Sequence, residues 1–283
     1  MKTIRLLYPD HVSGGLDTYY FGAKLLTHIL PENGNQPLVT VGVAPPDGRE
    51  KAVTQGIYAR DEVLAGIADA MEKIEAEKPD RIITLGGSCI VSLAPFDYLH
   101  GRYGDVGIIW IDAHPDVSTV HDGYPNAHAM VLGSLMGHGA AALSDTMKNR
   151  KFKADEILYV GLQTLHDYQA RFLDDMGVVY TVQTEQFVSG GEVRAFMGRF
   201  AHILVHFDVD VLDERLFHST YFANGALVGD GAGGGRMTVE TLSGLLREIT
   251  DHSDVVGFTI AEYLPFDAHR LHNLFSELRL FTK

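Results

Sequence analysis

Short apolar runs, several of them apolar at every position, punctuate this chain between longer amphipathic segments. The runs are Ile4–Tyr8, Leu38–Val43, Arg81–Leu85, Val106–Ile111, Glu156–Val160, Val178–Thr181, His202–Phe207 and Val255–Ile260. A strand with one wet face alternates apolar and polar residues. One that is apolar throughout, such as Val106–Ile111, must be covered on both faces. Helical patterning fills the intervals: Asp17–Ile29, Arg60–Glu77, Ile90–His100, His166–Met176, Thr184–Arg199, Thr238–Thr250 and Phe266–Phe281. Strands alternating with helices predict an α/β fold of three layers, with a mainly parallel central sheet of about eight strands. A chain of 283 residues, 46% of them hydrophobic, can fill one such core, so a single domain over 1–283 is expected. Gly229–Gly235 is the one shift in composition, too short for a linker and better suited to a loop near a binding site.

The charge balance narrows the partners. Acidic residues number 37 against 23 basic, a net charge of −14, which disfavours nucleic acid and anionic membranes because both demand a cationic surface. A cationic small molecule or a metal ion is compatible. A single cysteine, Cys89, rules out an intramolecular disulfide. The opening residues lack the apolar stretch of a secretory signal, and no window approaches the ~20 apolar residues of a membrane span. A cytoplasmic enzyme is therefore the expectation.

In parallel sheets, working residues collect at the carboxyl ends of strands. Four such ends carry ligand-type residues: Gly86-Gly87-Ser88-Cys89, Asp112-Ala113-His114-Pro115-Asp116, Asp208-Val209-Asp210 with Asp213 beyond, and Ala261-Glu262. On extended backbone, positions i and i+2 share a face. Asp112 and His114 should then project together, as should Asp208 and Asp210. Converging carboxylates repel unless a cation offsets their charge, and carboxylate with imidazole suits Mn²⁺, Ni²⁺, Fe²⁺ or Zn²⁺. A lone Asp after a strand is more often a helix cap; two clusters in one chain favour metal.

These motifs resemble those of the arginase, or ureohydrolase, superfamily. The matching segments are WIDAHPD (110–116), FDVDVLD (207–213), GGSC (86–89) and the glutamate of AEYLP (261–265). The resemblance implies an amidinohydrolase with a binuclear site, usually two Mn²⁺ bridged by hydroxide. Asp112 and Asp208 would bridge, Asp116 and Cys89 would complete one ion's shell, and His114 and Asp210 the other's. It further implies that Glu262 orients the substrate and that His128 of NAHAM passes a proton to the leaving amine. His121 is a competing candidate on the same loop, and His128 as a helix-start residue is the plain alternative. Trimers or hexamers are implied as well. A metal-dependent deacetylase would need a His-His pair, which the sequence lacks.

Two departures stand out. The family usually has Gly-Gly-Asp-His where this chain has Gly86-Gly87-Ser88-Cys89, so a ligating histidine has become a softer, anionic cysteine. Cys89 is then a true ligand in a retuned site, or one ion is held weakly, or the chain is a catalytically silent relative that binds a ligand or partner. The segments that hold the amino-acid end of arginine also differ. Ser118 and Asn126 remain as candidates, and Gly161–Asp167 keeps only Asp167 as an acid. Arginine, its N-hydroxy form, a guanidino acid and formimidoylglutamate all stay open. His206 is expected to be a satisfied core histidine on the strand face opposite the carboxylate pair or near it, Asp213 a turn residue, and Tyr19, Tyr20 and Phe21 packing residues.

Overall fold

The computed structural model describes residues 1–184, 186–225, 227 and 233–276. The sheet is built from β1 (Thr3–Tyr8), β2 (Leu38–Thr40), β5 (Arg81–Gly86), β6 (Val106–Ile111), β7 (Ile157–Val160), β8 (His202–Asp208) and β9 (Val255–Ala261). A small antiparallel pair, β3 (Val53–Thr54) and β4 (Ile57–Tyr58), stands apart. The large sheet has the order β2-β1-β5-β9-β8-β6-β7, and every neighbouring pair in it is parallel. The expected α/β layering is therefore present, with seven strands.

Alternate residues divide between two helical layers. Ile4, Leu6, Tyr8, Ile108, Trp110 and Leu204 enter one core. It is shared with α2 (Arg60–Glu77), α3 (Leu93–Tyr103) and the short α4 (Val131–Leu135) and α5 (Ala141–Ser144). Ile109, Ile111, Ile203 and Val205 face the other side. There they meet α7 (Gly190–Met197) and α8 (Val239–His252), while α1 (Thr18–Ile29) covers Leu7 and Leu85. Helix α2 shows the sequence logic plainly: Val63, Gly66, Ile67, Ala70 and Ile74 form its buried stripe at three- and four-residue spacing. Helix α6 (Asp167–Met176) ends at Gly177 in the left-handed conformation that a helix stop favours. Helix α9 (Phe266–Ser276) packs near α1.

Several expectations need correction. Val178–Thr181 is not a strand: Val179 is 85% exposed, and β7 is the sheet's last strand. The Gln183 side chain takes the place of a neighbour there, accepting from Gly161 N and donating to Tyr159 O. The strand expected over Leu38–Val43 stops at Thr40. The helix expected over Thr184–Arg199 starts at Gly190, after the Ser189 cap; residue 185 lies outside the described residues. Of the helix expected over Phe266–Phe281, the part beyond Ser276 also lies outside them, as do residues 229–232 of the glycine-rich loop. The end of that loop is fixed, since Gly235 N donates to Asp210 O at 2.7 Å. Among the described residues, no helix is long and apolar enough to cross a membrane.

Candidate metal centre

The four strand ends singled out in the sequence belong to four adjacent strands, β5-β9-β8-β6, in the middle of the sheet. Their side chains meet, but not by the extended spacing expected. Asp112 follows the last residue of β6, and its Oδ1 accepts the N–H of His114 at 2.6 Å. Asp208 ends β8, and its Oδ1 accepts the N–H of Asp210 at 2.7 Å, opening a 3₁₀ turn over Val209–Val211. Both aspartates thus make the local cap that a lone Asp would make, and each cap turns the next ligand-type residue inward. His114 Nδ1 then lies 3.0 Å from Asp210 Oδ2. Ala113 N donates to Asp210 Oδ1 at 3.3 Å, tying the two strand ends together.

The other ligand-type residues come from tight turns. Asp116 adopts φ +52 and Glu262 φ +60, a left-handed conformation unusual for residues with a Cβ. Glu262 N donates to Gly87 O at 2.7 Å. Gly87 itself is required, because a Cβ there would lie 1.8 Å from Asp10 O. Ser88 turns away from the cluster and bonds Asp10 and Ser13. Cys89 turns in, with Sγ 2.8 Å from Asp208 Oδ2 and 3.4 Å from Glu262 Oε1.

The electrostatics describe a site holding excess acid. Burial, and then Asp210, push Asp112 up to about 7. Burial with Asp112 raises Asp116, and burial with Asp210 and Glu262 raises Asp208. Burial and the Asp116 and Asp208 charges raise the Cys89 thiol well above its ordinary value. Burial would raise Asp210 too, but His114 beside it holds its carboxyl below the usual range. The converse applies to His114, where burial opposes the charge but Asp210 and the bonds to Asp112 and Asp210 win, raising it. A fully buried His206 is pushed down to about 3 by burial, against the charge of Asp210.

The donors fit divalent cations on two counts. Asp116 Oδ2, His114 Nε2 and His206 Nε2 are buried without a hydrogen-bond partner among the described residues, a costly state unless something else satisfies them. The set of carboxylates, imidazole and one thiol also matches first-row metal chemistry. Asp112, His114 and Asp210 each offer a ligand atom with all three within 4.8 Å of one another; so do Asp208, Asp210 and Glu262, and so do Cys89, Asp112, Asp116 and His206.

A cavity of about 360 Å³ opens on this cluster. His128 lines it, with Nδ1 2.7 Å from Glu262 Oε1 and Nε2 2.9 Å from the Tyr124 hydroxyl. Burial alone would lower the pKa of His128; Tyr124 and Glu262 overturn that and raise it. Ala129 is not in the left-handed region, so nothing at this position demands glycine. His121 is exposed and does not line the cavity. Ser118 and Asn126 do, already bonded to Tyr168 and to Gly14 O respectively. Asp167 does not line it; His166 and Gln169 do. Among the described residues, Asp213 is outside the groups that could hold a metal; it bridges to Gly235, opens the turn to Leu216 and accepts from Arg215.

Three features escaped the sequence reading. Tyr19 is not only a packing residue: its hydroxyl donates to Glu262 Oε2 at 2.8 Å. Trp110 Nε1 donates to Asp112 Oδ2 at 3.0 Å. His206 is a core histidine near the carboxylates, as expected, but on the same face as Asp208, 3.7 Å from Asp112 Oδ2, and it is not satisfied, since Nε2 has no partner among the described residues. The i, i+2 rule, applied to Trp110–Asp112 and His206–Asp208, would have found the last two.

A parallel sheet between helical layers, whose central strand ends gather buried carboxylates, imidazole and thiol, defines an α/β protein with a cluster of groups that could hold metal ions. The chain belongs to the arginase family, whose model, described as "Arginase family", matches residues 35–274. An arginase of Bacillus caldovelox is 26% identical over 146 residues, 48% of this chain and 49% of that protein. The chain spans about half the length of the curated relatives it matches in such alignments. Among solved structures, an Entamoeba histolytica arginase in complex with L-ornithine superposes with a TM-score of 0.76 at 19% identity, covering 94% of this chain and 93% of that one. A Bacillus subtilis formimidoylglutamase superposes with a TM-score of 0.58 at 14% identity, covering 93% and 78%. At these identities the solved structures establish the fold alone.

Proposed function

We propose that residues 1–283 form one catalytic unit, a metal-dependent amidinohydrolase. It would cleave a C–N bond of a guanidino or formimino compound and release urea or formamide. The observation that carries this reading is the meeting of Cys89, Asp112, His114, Asp116, Asp208 and Asp210 beside the His128–Glu262 pair, all but Asp112 lining one cavity. Family membership supports it.

In this reading the six residues hold two divalent ions, Mn²⁺ first and Ni²⁺, Fe²⁺ or Zn²⁺ as alternatives. When bound, such a pair supplies Lewis acidity and a water ionised near neutral pH. The chain's own residues do the rest. The Glu262 carboxylate accepts N–H bonds from a planar guanidinium, held in place by Tyr19 on its Oε2 and by the Gly87 carbonyl behind its backbone. His128 carries the proton that the leaving amine needs, and Tyr124 and Glu262 raise its pKa, which favours the protonated ring. Asp116 keeps one buried oxygen free to ligate. The described lining includes no lysine or arginine, which suits a cationic headgroup entering an acidic cavity.

Metal content per chain, measured after incubation with Mn²⁺ and removal of free ions, tests the reading. A value near two, with urea or formamide released from a panel of guanidino and formimino compounds, is expected. A value near zero would replace it with a silent relative that binds a ligand or partner. Within the panel, the anionic thiolate should make the site a weaker electrophile, favouring a hydroxyguanidine over arginine. Equal turnover of arginine and its N-hydroxy form would remove that preference.

A further inference from the structure

His206 is fully buried on β8, two residues before Asp208 and on the same face. Its ring lies flat on the indole of Trp110, with centroids 3.7 Å apart and planes 6° from parallel. Nδ1 is 2.8 Å from the hydroxyl of Ser92, the last residue of the 3₁₀ turn that Cys89 begins. Nε2 has no hydrogen-bond partner among the described residues. It points toward Asp112 Oδ2 across 3.7 Å, too long for a hydrogen bond. Stack and hydroxyl together fix the ring, so that an unsatisfied nitrogen faces a carboxylate with neither bonded to the other.

That separation has a chemical reading. Two donors each about 2.0–2.3 Å from one tetrahedral ion lie roughly 3.3–3.8 Å apart. The ligand atoms of Cys89, Asp112, Asp116 and His206 all lie within 4.8 Å of one another, enough to surround a single ion. In the tautomer with Nδ1–H donating to Ser92, Nε2 presents its lone pair to that ion. An outer hydrogen bond of this kind is what usually orients a ligating histidine.

The geometry points to His206 as a metal ligand that completes a Cys89–Asp112–Asp116–His206 site. An imidazole is thereby supplied beside the Cys89 thiol. This inference rests on the metal-site reading above and adds a consequence to it: the two ions sit in unlike surroundings. The half with thiolate and His206 is the softer and favours Zn²⁺ or Co²⁺ over Mn²⁺; the half with His114 and Asp210 is the harder.

Cobalt is the probe. The full chain, freed of metal, is titrated with Co²⁺ while thiolate-to-cobalt charge-transfer absorption is followed, and X-ray absorption of the loaded protein counts imidazoles. Two imidazoles across two cobalt ions, His114 and His206, are expected. His206→Phe keeps the stack on Trp110 and should lower the affinity of the thiolate-linked cobalt at least tenfold while the second ion still binds. Cys89→Ser should abolish the absorption band. One imidazole in the loaded wild-type protein, with an unchanged isotherm for His206→Phe, would overturn this inference and leave the metal-site reading standing. No cobalt bound to the wild-type chain would overturn both. If His206→Phe does not fold, the imidazole count on the unaltered chain decides.

Discussion

Replacing Trp110 by phenylalanine tests whether the strand-end carboxylates are held from behind. The indole N–H donates to Asp112 Oδ2 at 3.0 Å, and no other hydrogen-bond donor among the described residues reaches that oxygen. The donor favours the ionised carboxylate, the form that binds a cation. Without metal, Asp112 titrates near neutrality, at about 7, so much of it is protonated and gains less from the bond. The loss therefore falls on metal affinity. A hydrogen bond to a charged group is worth about 1.5–3 kcal/mol, which corresponds to roughly 10- to 100-fold in a binding constant. A smaller ring leaves a void in the core, costing on the order of 1–2 kcal/mol, which would appear separately in melting of the metal-free protein. Trp110 is the only tryptophan, so the two proteins are compared by competition with a metal-indicator dye rather than by intrinsic fluorescence. An affinity within about twofold of wild type, in a variant that still melts cooperatively, would refute the account, since an outer-shell contact of this kind is normally worth at least tenfold.

Other consequences can be checked alongside. Tyr124→Phe removes the hydroxyl that helps raise the pKa of His128, so the limb of the rate–pH profile set by His128 should move to lower pH; an unmoved limb would take Tyr124 out of the proton path. Because protons compete with metal at Asp112 and the raised Asp116, Asp208 and Cys89, metal affinity should rise between about pH 6 and about pH 8 with release of protons. Calorimetry in buffers of different ionisation enthalpy reads that release. Saturating Mn²⁺ at about 100 times its dissociation constant should stabilise the fold by about 2.7 kcal/mol, and a chelator should reverse this. His100 is buried and stacked on Phe152; burial, aided by Arg150, pushes it down to about 4. Its folded value is below the ordinary 6.5, so the unfolded chain takes up the proton first and stability falls as pH drops through that window. About 2 kcal/mol of the loss between about pH 7 and about pH 5 should vanish in His100→Leu; an unchanged slope would show that His100 is not the group responsible.

The sequence made the layers legible because strands buried on both faces cannot hide their composition, and Val106–Ile111 is buried at every position. Arg60–Glu77 was legible to the residue because its stripe and its boundaries agree. Val178–Thr181 misled because a β-branched run reads the same whether or not a partner strand is available; here a glutamine side chain occupies that edge instead. The ligand-type residues were legible as strand-end clusters, while the device that aims them was not. Asp112 and Asp208 bend the chain by capping it, a geometry that extended-strand reasoning does not contain. Tyr19 was out of reach for a different reason: its partner, Glu262, is 243 positions away, and no local pattern announces such a contact.

The contact between Tyr19 and Glu262 also bears on how a chain of this kind can diverge. The stretch matched by the family model begins at residue 35, yet Gly14, Gly15, Leu16 and Tyr19 already form part of the cavity wall. Helix α1 is seated so closely that a Cβ on Gly22 would lie 1.8 Å from the Tyr263 carbonyl, directly after Glu262. All seven proposed metal ligands fall inside the matched stretch, and this part of the wall falls outside it. This part of the wall and the proposed ligands therefore lie in separate stretches of the chain. Grafting residues 1–34 from one relative onto another offers a route to changing what the cavity admits without relearning how to hold the ions.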